Sequence, residues 1–195
     1  MNYIYNAYCM SQIFFDKGSY YISNKEMEDY IKTERVFGSN SKGLACMYDL
    51  TYKPDLIIDN LLLGNAYNAR NFYELEKNNI GLVVNCSKDI PNYFEDELKY
   101  IRVNVEDKLN QYIYKYLDRT TSEMHKYLIE NPNKNILIHC FMGSSRSATV
   151  IIAYLIKYRK YTRRDALLFL KQKRQLVNIN VDFFKQLKRF EEEYR

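Results

Sequence analysis

The chain has 195 residues and a mass of 23.5 kDa, which is the size of one ordinary domain with an extra arm. Its 47% hydrophobic and 27% charged residues are ordinary globular values, and it contains no run of about 18 apolar residues that could span a membrane. The net charge of +5 favours anionic partners. Its positive residues are dispersed apart from two basic clusters, "KYRKYTRR" and "KQKR", which a solvated helix face explains about as well as an anionic partner. We do not expect nucleic acid as a partner.

The cysteines favour a reducing compartment. The four of them, Cys9, Cys46, Cys86 and Cys140, form no CxxC pair, which disfavours a disulfide scaffold. The N-terminus lacks the basic start and apolar core of a secretory signal. We therefore expect a cytoplasmic location, with access to the nucleus left open. Two His and scattered Cys give no metal-ligand spacing, so we expect neither a metal nor a cofactor.

Residues 1–53 differ from the rest in charge and pattern. They carry as many basic as acidic residues, so the positive excess lies entirely in residues 54–195. The segment "NKEMEDYIKTERV" predicts a short helix that starts near Asn24, followed by a loop. This arm could pack on the following domain, mediate a homodimer or cover a site, and the sequence does not choose among these roles.

From Pro54 onward the chain alternates strand and helix patterns. "DLIIDNLLLG" predicts two short strands about a turn, and "NARNFYELEKNN" predicts one helix that ends in Asn. Apolar runs at Ile80–Cys86 and Tyr100–Val105 predict buried strands.

The second half predicts one more strand, "NILIHC", and mainly helices. A long helix should fill Tyr112–Glu130 and stop before Pro132. Three helices follow the strand, at Arg146–Arg159, Thr162–Arg174 and Asp182–Tyr194, with Thr162 as an N-cap and Asp165 at the capping-box position. The alternation predicts an α/β sandwich with a central, mainly parallel sheet flanked by helices.

One loop carries the clearest chemical signal: "HCFMGSSRS", His139–Ser147. A strand–loop–helix directs backbone N–H groups and a helix N-terminus at one point, which suits an anion such as phosphate. Gly143 allows a close approach of the backbone, and Arg146 can hold two phosphate oxygens. Such a field lowers the pKa of a cysteine from about 8.5 to roughly 3.5–7.5, so Cys140 becomes a thiolate facing phosphorus.

The loop is similar to the His-Cys-x-x-Gly-x-x-Arg-Ser/Thr signature of cysteine-based protein tyrosine phosphatases, and most resembles their dual-specificity branch. The resemblance covers residues 54–195 and includes "LLLGNAYNA", "VVNCSKDIPNYFE", "VNVEDKLNQ" and "DFFKQLKRFE". It implies the protein tyrosine phosphatase fold, a catalytic domain at residues 54–195 and an N-terminal extension at residues 1–53.

The resemblance also implies a role for each matching residue. Cys140 would attack phosphorus to form a phosphocysteine, and Arg146 would stabilise the transition state. Ser147 would support the departing thiolate, while His139 would hold the loop and help to keep the thiol pKa low. The phosphate-binding residues would be the loop positions Phe141, Met142, Gly143, Ser144, Ser145 and Arg146.

A proton donor for the leaving group must come from another loop. Asp107 in "NVEDKLN" follows a predicted strand, as the family acid does, and its neighbour Glu106 is the rival candidate. Two loop residues depart from the commonest family pattern. We expect the larger Met142 to pack beneath the loop and Phe141 to be exposed beside the substrate.

Other polar residues have mainly structural interpretations. Cys86 closes a predicted strand and is either a core residue or, as in related phosphatases, a redox partner that traps oxidised Cys140 as a disulfide. His125 should be structural or exposed within its helix. Arg163 and Arg164 should form a solvated helix start, with a docking site as the alternative interpretation.

The implied function is a protein phosphatase that hydrolyses phosphotyrosine and phosphoserine/threonine. An RNA 5′-triphosphatase of the related cysteine-enzyme type is disfavoured by "SRSA" and by the presence of Asp107. A phosphoinositide phosphatase is disfavoured because the loop carries no Lys. A phospho-binding pseudophosphatase usually lacks the Cys or Arg, and this chain keeps both. The implied partners are phosphorylated proteins. The abundance of Tyr, Asn, Ile and Lys is typical of an AT-rich genome, such as that of a large DNA virus or a protist.

Overall fold

The computed structural model describes residues 53–195, so the helix predicted near Asn24 lies outside the described residues. Five strands of this part form one sheet: β1 (Asp55–Ile58), β2 (Leu61–Gly64), β3 (Ile80–Asn85), β4 (Lys99–Arg102) and β5 (Asn135–His139). Their order across the sheet is β1-β2-β5-β3-β4. Only the pairing of β1 with β2 is antiparallel among these strands, which confirms the mainly parallel sheet.

Helices cover both faces of the sheet, as expected for an α/β sandwich. The helices of the described part are α1 (Ala66–Arg70), α2 (Phe72–Lys77), α3 (Tyr114–Glu130), α4 (Arg146–Arg159), α5 (Arg163–Lys173) and α6 (Val181–Tyr194). Side chains alternate along the central strand β5, because successive strand residues point to opposite faces. Ile136 and Ile138 join the larger core with α3–α6, whereas Leu137 joins the smaller core with α1 and α2.

The loop at residues 140–145, which carries the Cys140 motif, follows the central strand of the sheet. It connects β5, which has a strand on either side, to α4, which is buried from Arg146 to Ile156. The long apolar run after the loop is therefore a helix enclosed by others, and no residue from 53 to 195 belongs to a helix long and apolar enough to cross a bilayer.

Three predicted elements differ from the structure by more than one residue. The single helix predicted over "NARNFYELEKNN" is two helices, α1 and α2, because Asn71 adopts extended backbone angles and its side chain accepts the amide of Glu74. The strand predicted to reach Val105 ends at Arg102, since the amide of Val105 turns back to the carbonyl of Val103. Helix α3 begins at Tyr114, two residues later than predicted.

The Thr162 N-cap is confirmed. Its hydroxyl oxygen accepts the amide of Asp165 at 3.0 Å. The hydroxyl in turn donates to the Asp165 carboxylate at 2.7 Å, so Asp165 acts on the cap's side chain.

Candidate active site

The loop between β5 and α4 turns at a glycine that has no room for a side chain. Gly143 has a φ of +68°, a backbone conformation that favours glycine. A Cβ on Gly143 would also lie 2.4 Å from the carbonyl oxygen of Gly64, at the end of β2. The turn therefore packs directly on the edge of the sheet, which brings the loop backbone close around Cys140.

Hydrogen-bond donors surround the buried sulfur of Cys140. The amide of Gly143 and the hydroxyl of Ser147 each donate to Sγ at 3.3 Å, and the amides of Ser144 and Ser147 also interact with it. Burial by itself raises the pKa of the Cys140 thiol, but the charge of Arg146 and these donors outweigh burial. The net result is a pKa below the usual value, so the site favours a thiolate.

The guanidinium of Arg146 donates hydrogen bonds from Nη1 to two oxygen atoms, whereas its Nε–H makes none within the described residues. Its Nη1 donates to the Ser87 hydroxyl at 3.3 Å and to the Val105 carbonyl at 3.4 Å. Its Nε is buried and has no hydrogen-bond partner among the described residues. A buried, unpaired guanidinium N–H is costly unless an anion satisfies it, which marks this position as an oxyanion site. Sequence reasoning missed Ser87, and no pattern pointed to it.

His139 is buried and neutral. Burial lowers its pKa to about 4, because a low-dielectric surrounding disfavours the charged imidazolium. Its Nδ1 lies 3.4 Å from the carbonyl oxygen of Cys140. His139 thus contacts the loop backbone, and its role in holding the loop stays a prediction. A neutral imidazole cannot lower the thiol pKa through a positive charge.

Asp107 reaches the same cleft from the segment after β4. Its Oδ1 accepts the hydroxyl of Ser145 at 2.9 Å and the side-chain amide of Asn180 at 3.4 Å. Its Oδ2 lies 3.9 Å from Nε of Arg146. The two donors on Oδ1 orient the carboxyl, and Oδ2 faces the loop arginine.

The rival, Glu106, has different partners. It forms ion pairs with Lys108 at 2.9 Å and Lys88 at 3.4 Å. Hydrogen bonding to Lys108, with a further contribution from Lys88, lowers its pKa. A carboxyl engaged by two lysines favours its ionised form, which suits a surface ion pair better than a proton donor.

The segment between α5 and α6 forms hydrogen bonds with two loops, the one that contains Cys140 and the one that contains Asp107. The hydroxyl of Ser144 donates to the carbonyl of Leu176 at 2.7 Å, and the amide of Asn180 donates to the Ser145 hydroxyl at 3.1 Å. The Asn180 side chain also donates to the carbonyl of Lys108. Ser144 and Ser145 therefore connect the phosphate loop, residues 140–145, to this segment. Asn180, which sequence reasoning missed, joins it to the loop of Asp107.

Arg174 is another site residue that sequence reasoning missed. The prediction that "KQKR" is a solvated face is wrong for its last member, because Arg174 is only 1% exposed. Its guanidinium donates to the carbonyls of Gly143 at 3.0 Å and Met142 at 3.2 Å, and pairs with Asp55 at 2.6 Å. A signal was present: Arg174 follows buried Leu170 by four residues, the spacing of one helix face.

An open cleft of about 490 Å³ lies above the loop. The expectation that Met142 packs beneath the loop is wrong: Met142 is exposed and lines this cleft, as does Phe141. The residues that line it are Asp107, Leu109, Cys140, Phe141, Met142, Ser144, Ser145, Arg146, Asn178, Ile179, Asn180 and Val181.

Cys86 lies beside the nucleophile loop, one residue beyond β3. Its amide donates to the carbonyl of His139 at 2.8 Å, which sets it next to Cys140 across the ends of two paired strands. Both cysteines are free and buried. Burial, followed by the charge of Cys140, raises the pKa of the Cys86 thiol well above its usual value.

Other predicted candidates lie among structural contacts. His125 stacks on Tyr158 with ring centroids 3.9 Å apart, and its Nδ1 lies 3.2 Å from the Tyr154 hydroxyl. Arg163 is half-buried and pairs with Glu191 at 3.5 Å, so the predicted solvated helix start describes Arg164 but not Arg163.

Comparison with known proteins agrees with this geometry. The family model "Dual specificity phosphatase, catalytic domain" matches residues 61–193. Protein 123R of Invertebrate iridescent virus 6, which bears a tyrosine phosphatase name, is 36% identical over 71% of this chain and 92% of its own length. The Slingshot protein phosphatase homolog of Xenopus laevis is 32% identical over 71% of this chain, but the match spans 20% of that relative.

Solved structures show the same fold. Human DUSP28 superposes with a TM-score of 0.67 and 27% identity, covering 72% of this chain and 93% of that one. A mouse dual specificity phosphatase crystallised with zinc tungstate gives a TM-score of 0.68 and 27% identity, covering 73% of this chain and 88% of that one. The family match, the viral relative and the shared fold agree, and the chain belongs to the dual specificity phosphatase family of cysteine-based protein phosphatases.

Proposed function

We propose that this chain hydrolyses phosphate monoesters on the tyrosine, serine and threonine residues of proteins, through a phosphocysteine intermediate on Cys140. The observation that carries the proposal is the meeting of three groups in one cleft. A thiol with a lowered pKa, a guanidinium whose buried Nε–H makes no hydrogen bond within the described residues, and a carboxyl from a second loop all line it.

In the first step the Cys140 thiolate attacks phosphorus, and the S–P bond forms as the P–O bond to the leaving group breaks. Arg146 Nε and the loop amides balance the charge on the equatorial phosphoryl oxygens. Asp107 donates a proton to the leaving oxygen, because a serine or threonine alkoxide leaves poorly without one.

In the second step water attacks the phosphocysteine. The now ionised Asp107 accepts a proton from this water, and the thiolate departs from phosphorus. The Ser147 hydroxyl, 3.3 Å from Sγ, stabilises the departing thiolate. Ser144 and Ser145 act as positioning residues in this scheme, since their hydroxyls hold the loop and the acid.

The partners in this proposal are phosphorylated proteins, and the site of action is the cytoplasm. A phosphatase dependent on a free thiolate requires a reducing compartment. The roles of residues 1–53 as an extension, and of residues 54–195 as the catalytic domain, are part of the same proposal.

The test uses the 195-residue chain and its Cys140→Ser variant. The wild type should hydrolyse p-nitrophenyl phosphate together with phosphotyrosine and phosphothreonine peptides, and Cys140→Ser should lose all three activities. After rapid quenching with acid, mass spectrometry should find phosphate on the peptide that contains Cys140. Turnover that survives Cys140→Ser would exclude the proposed nucleophile. A 5′-triphosphate RNA hydrolysed in preference to phosphopeptides would favour the triphosphatase alternative.

A further inference from the structure

Apolar side chains surround the mouth of the catalytic cleft. Five residues that line the cleft form this apolar rim: Leu109, Phe141, Met142, Ile179 and Val181. Four of them are exposed, with Leu109 62%, Val181 57%, Met142 37% and Phe141 36% accessible. Exposed apolar groups clustered at a binding cleft indicate contact with a ligand, whereas single scattered ones do not.

The rim is built from three separate segments. Leu109 follows Asp107 by two residues in the segment between β4 and α3, which we call the acid loop. Phe141 and Met142 lie in the phosphate loop. Ile179 and Val181 flank Asn180. Asn180 bonds to both the acid loop and the phosphate loop. The hydrogen bonds that fasten the catalytic loops thus also hold the rim around the phosphate site.

Among residues 53–195, one cation lines the cleft. Its charged lining residues are Arg146 and Asp107. The nearby Lys88 and Lys108 are both paired with Glu106 and are not among the lining residues. A second anionic group beside the bound phosphate would therefore meet apolar surface and lose hydration without gaining a partner.

We propose that the apolar rim selects singly phosphorylated protein segments with apolar side chains next to the phosphoresidue, and discriminates against acidic or multiply phosphorylated segments. The inference rests on the proposed function and names the substrate class for that same site. The occupant is an extended stretch of phosphoprotein whose phosphate contacts Arg146 and whose neighbouring side chains contact the rim. Burying about 50 Å² of apolar surface against the rim is worth roughly tenfold in affinity.

The experiment measures kcat/KM for four phosphotyrosine peptides of equal length on the 195-residue chain. The residues on both sides of the phosphotyrosine are Leu, Ser or Glu, and the fourth peptide has Leu there plus a phosphothreonine two positions away. We expect the Leu peptide to exceed the Glu peptide by roughly tenfold or more. The added phosphothreonine should lower kcat/KM relative to the Leu peptide.

Variants connect the preference to the rim. Leu109→Gln and Val181→Gln should each reduce the Leu-to-Glu ratio several-fold. The matched control is Leu168→Gln, because Leu168 is 61% exposed on α5 and does not line the cleft; its ratio should equal that of the wild type. A wild-type ratio near one, a preference for Glu or for the doubly phosphorylated peptide, or equal effects of all three variants would overturn the proposal.

The outcome is separable from that of the proposed function. If hydrolysis of p-nitrophenyl phosphate depends on Cys140 but kcat/KM is the same for all four peptides, the proposed selectivity of the rim is wrong and the proposed function stands. If no substrate is turned over, fluorescence anisotropy still gives the affinity of Cys140→Ser for the four labelled peptides. The order Leu, Ser, Glu in that measurement supports the rim, and equal or reversed affinities refute it.

Discussion

Asp107 and Arg146 face each other across the cleft, with 3.9 Å between Oδ2 of the carboxyl and Nε of the guanidinium. Asp107 lies in the segment that follows β4, whereas Arg146 is the first residue of α4. The donors on Oδ1 orient the carboxyl, so Oδ2 faces the guanidinium that binds the phosphoryl group in the proposed mechanism. The acid role of Asp107 depends on this relationship.

Replacing Asp107 with Asn should slow the cleavage of poor leaving groups most. We expect kcat for a phosphoserine peptide to fall about 10²-fold or more. p-Nitrophenyl phosphate should lose much less, since p-nitrophenolate leaves without a proton. The matched control is Glu106→Gln, which removes a surface ion pair and should leave both rates near those of the wild type. Equal slowing of both substrates by Asp107→Asn would contradict the acid role.

Asn180→Ala should impair catalysis through Asp107. The variant removes a donor to Oδ1 and the bond to the Lys108 carbonyl, so the carboxyl is less well oriented. We expect about a tenfold fall in kcat for the phosphoserine peptide and a smaller fall for p-nitrophenyl phosphate. In the Asp107→Asn background the same change should have little further effect. Additive losses in the double variant would instead assign Asn180 a role independent of the acid.

Arg174→Met should destabilise the domain and loosen the phosphate loop. It leaves the buried carbonyl of Gly143, the partly buried carbonyl of Met142 and the Asp55 carboxylate without their shared donor. Leaving a buried acceptor unsatisfied costs about 1–3 kcal/mol, equivalent to a fall in Tm of about 5 °C. Calorimetry of the chain measures this fall, and KM for p-nitrophenyl phosphate should rise. Lys173→Met, at its exposed neighbour, should change the stability by less than about 0.5 kcal/mol; similar losses in both variants would argue against the buried role.

The redox role of Cys86 stays a prediction with a direct test. Peroxide converts the Cys140 thiolate to a sulfenic acid, and condensation with the Cys86 thiol forms a disulfide and releases water. The raised pKa of Cys86 should make this step slow. Mass spectrometry after peroxide should show a Cys86–Cys140 disulfide in the wild type, and in Cys86→Ser a larger fraction of sulfinic acid on Cys140. Equal amounts of sulfinic acid in the two proteins would assign Cys86 to the core alone.

Features that arise from local pattern could be predicted from the sequence. Strand periodicity and the long apolar run after Ser147 identified β5, α4 and the loop between them, and the motif identified Cys140 and Arg146. Features that depend on tertiary position were missed. Arg174 looked like one cation in a basic run, and only its packing beneath Gly143 shows that it holds the loop. Met142 was expected beneath the loop because of its size, but Arg174 bonds to the backbone carbonyl there, and the side chain lies in the cleft.

A titration of the Cys140 thiol is the most direct test of the proposed chemistry. Iodoacetamide alkylation of the peptide containing Cys140, followed by mass spectrometry across pH, gives its apparent pKa without interference from the other cysteines. We expect a pKa below that of an ordinary cysteine, because Arg146 and the surrounding donors outweigh burial, and a higher pKa in Ser147→Ala. A wild-type pKa at or above the ordinary cysteine value would contradict the central claim that this loop maintains a thiolate.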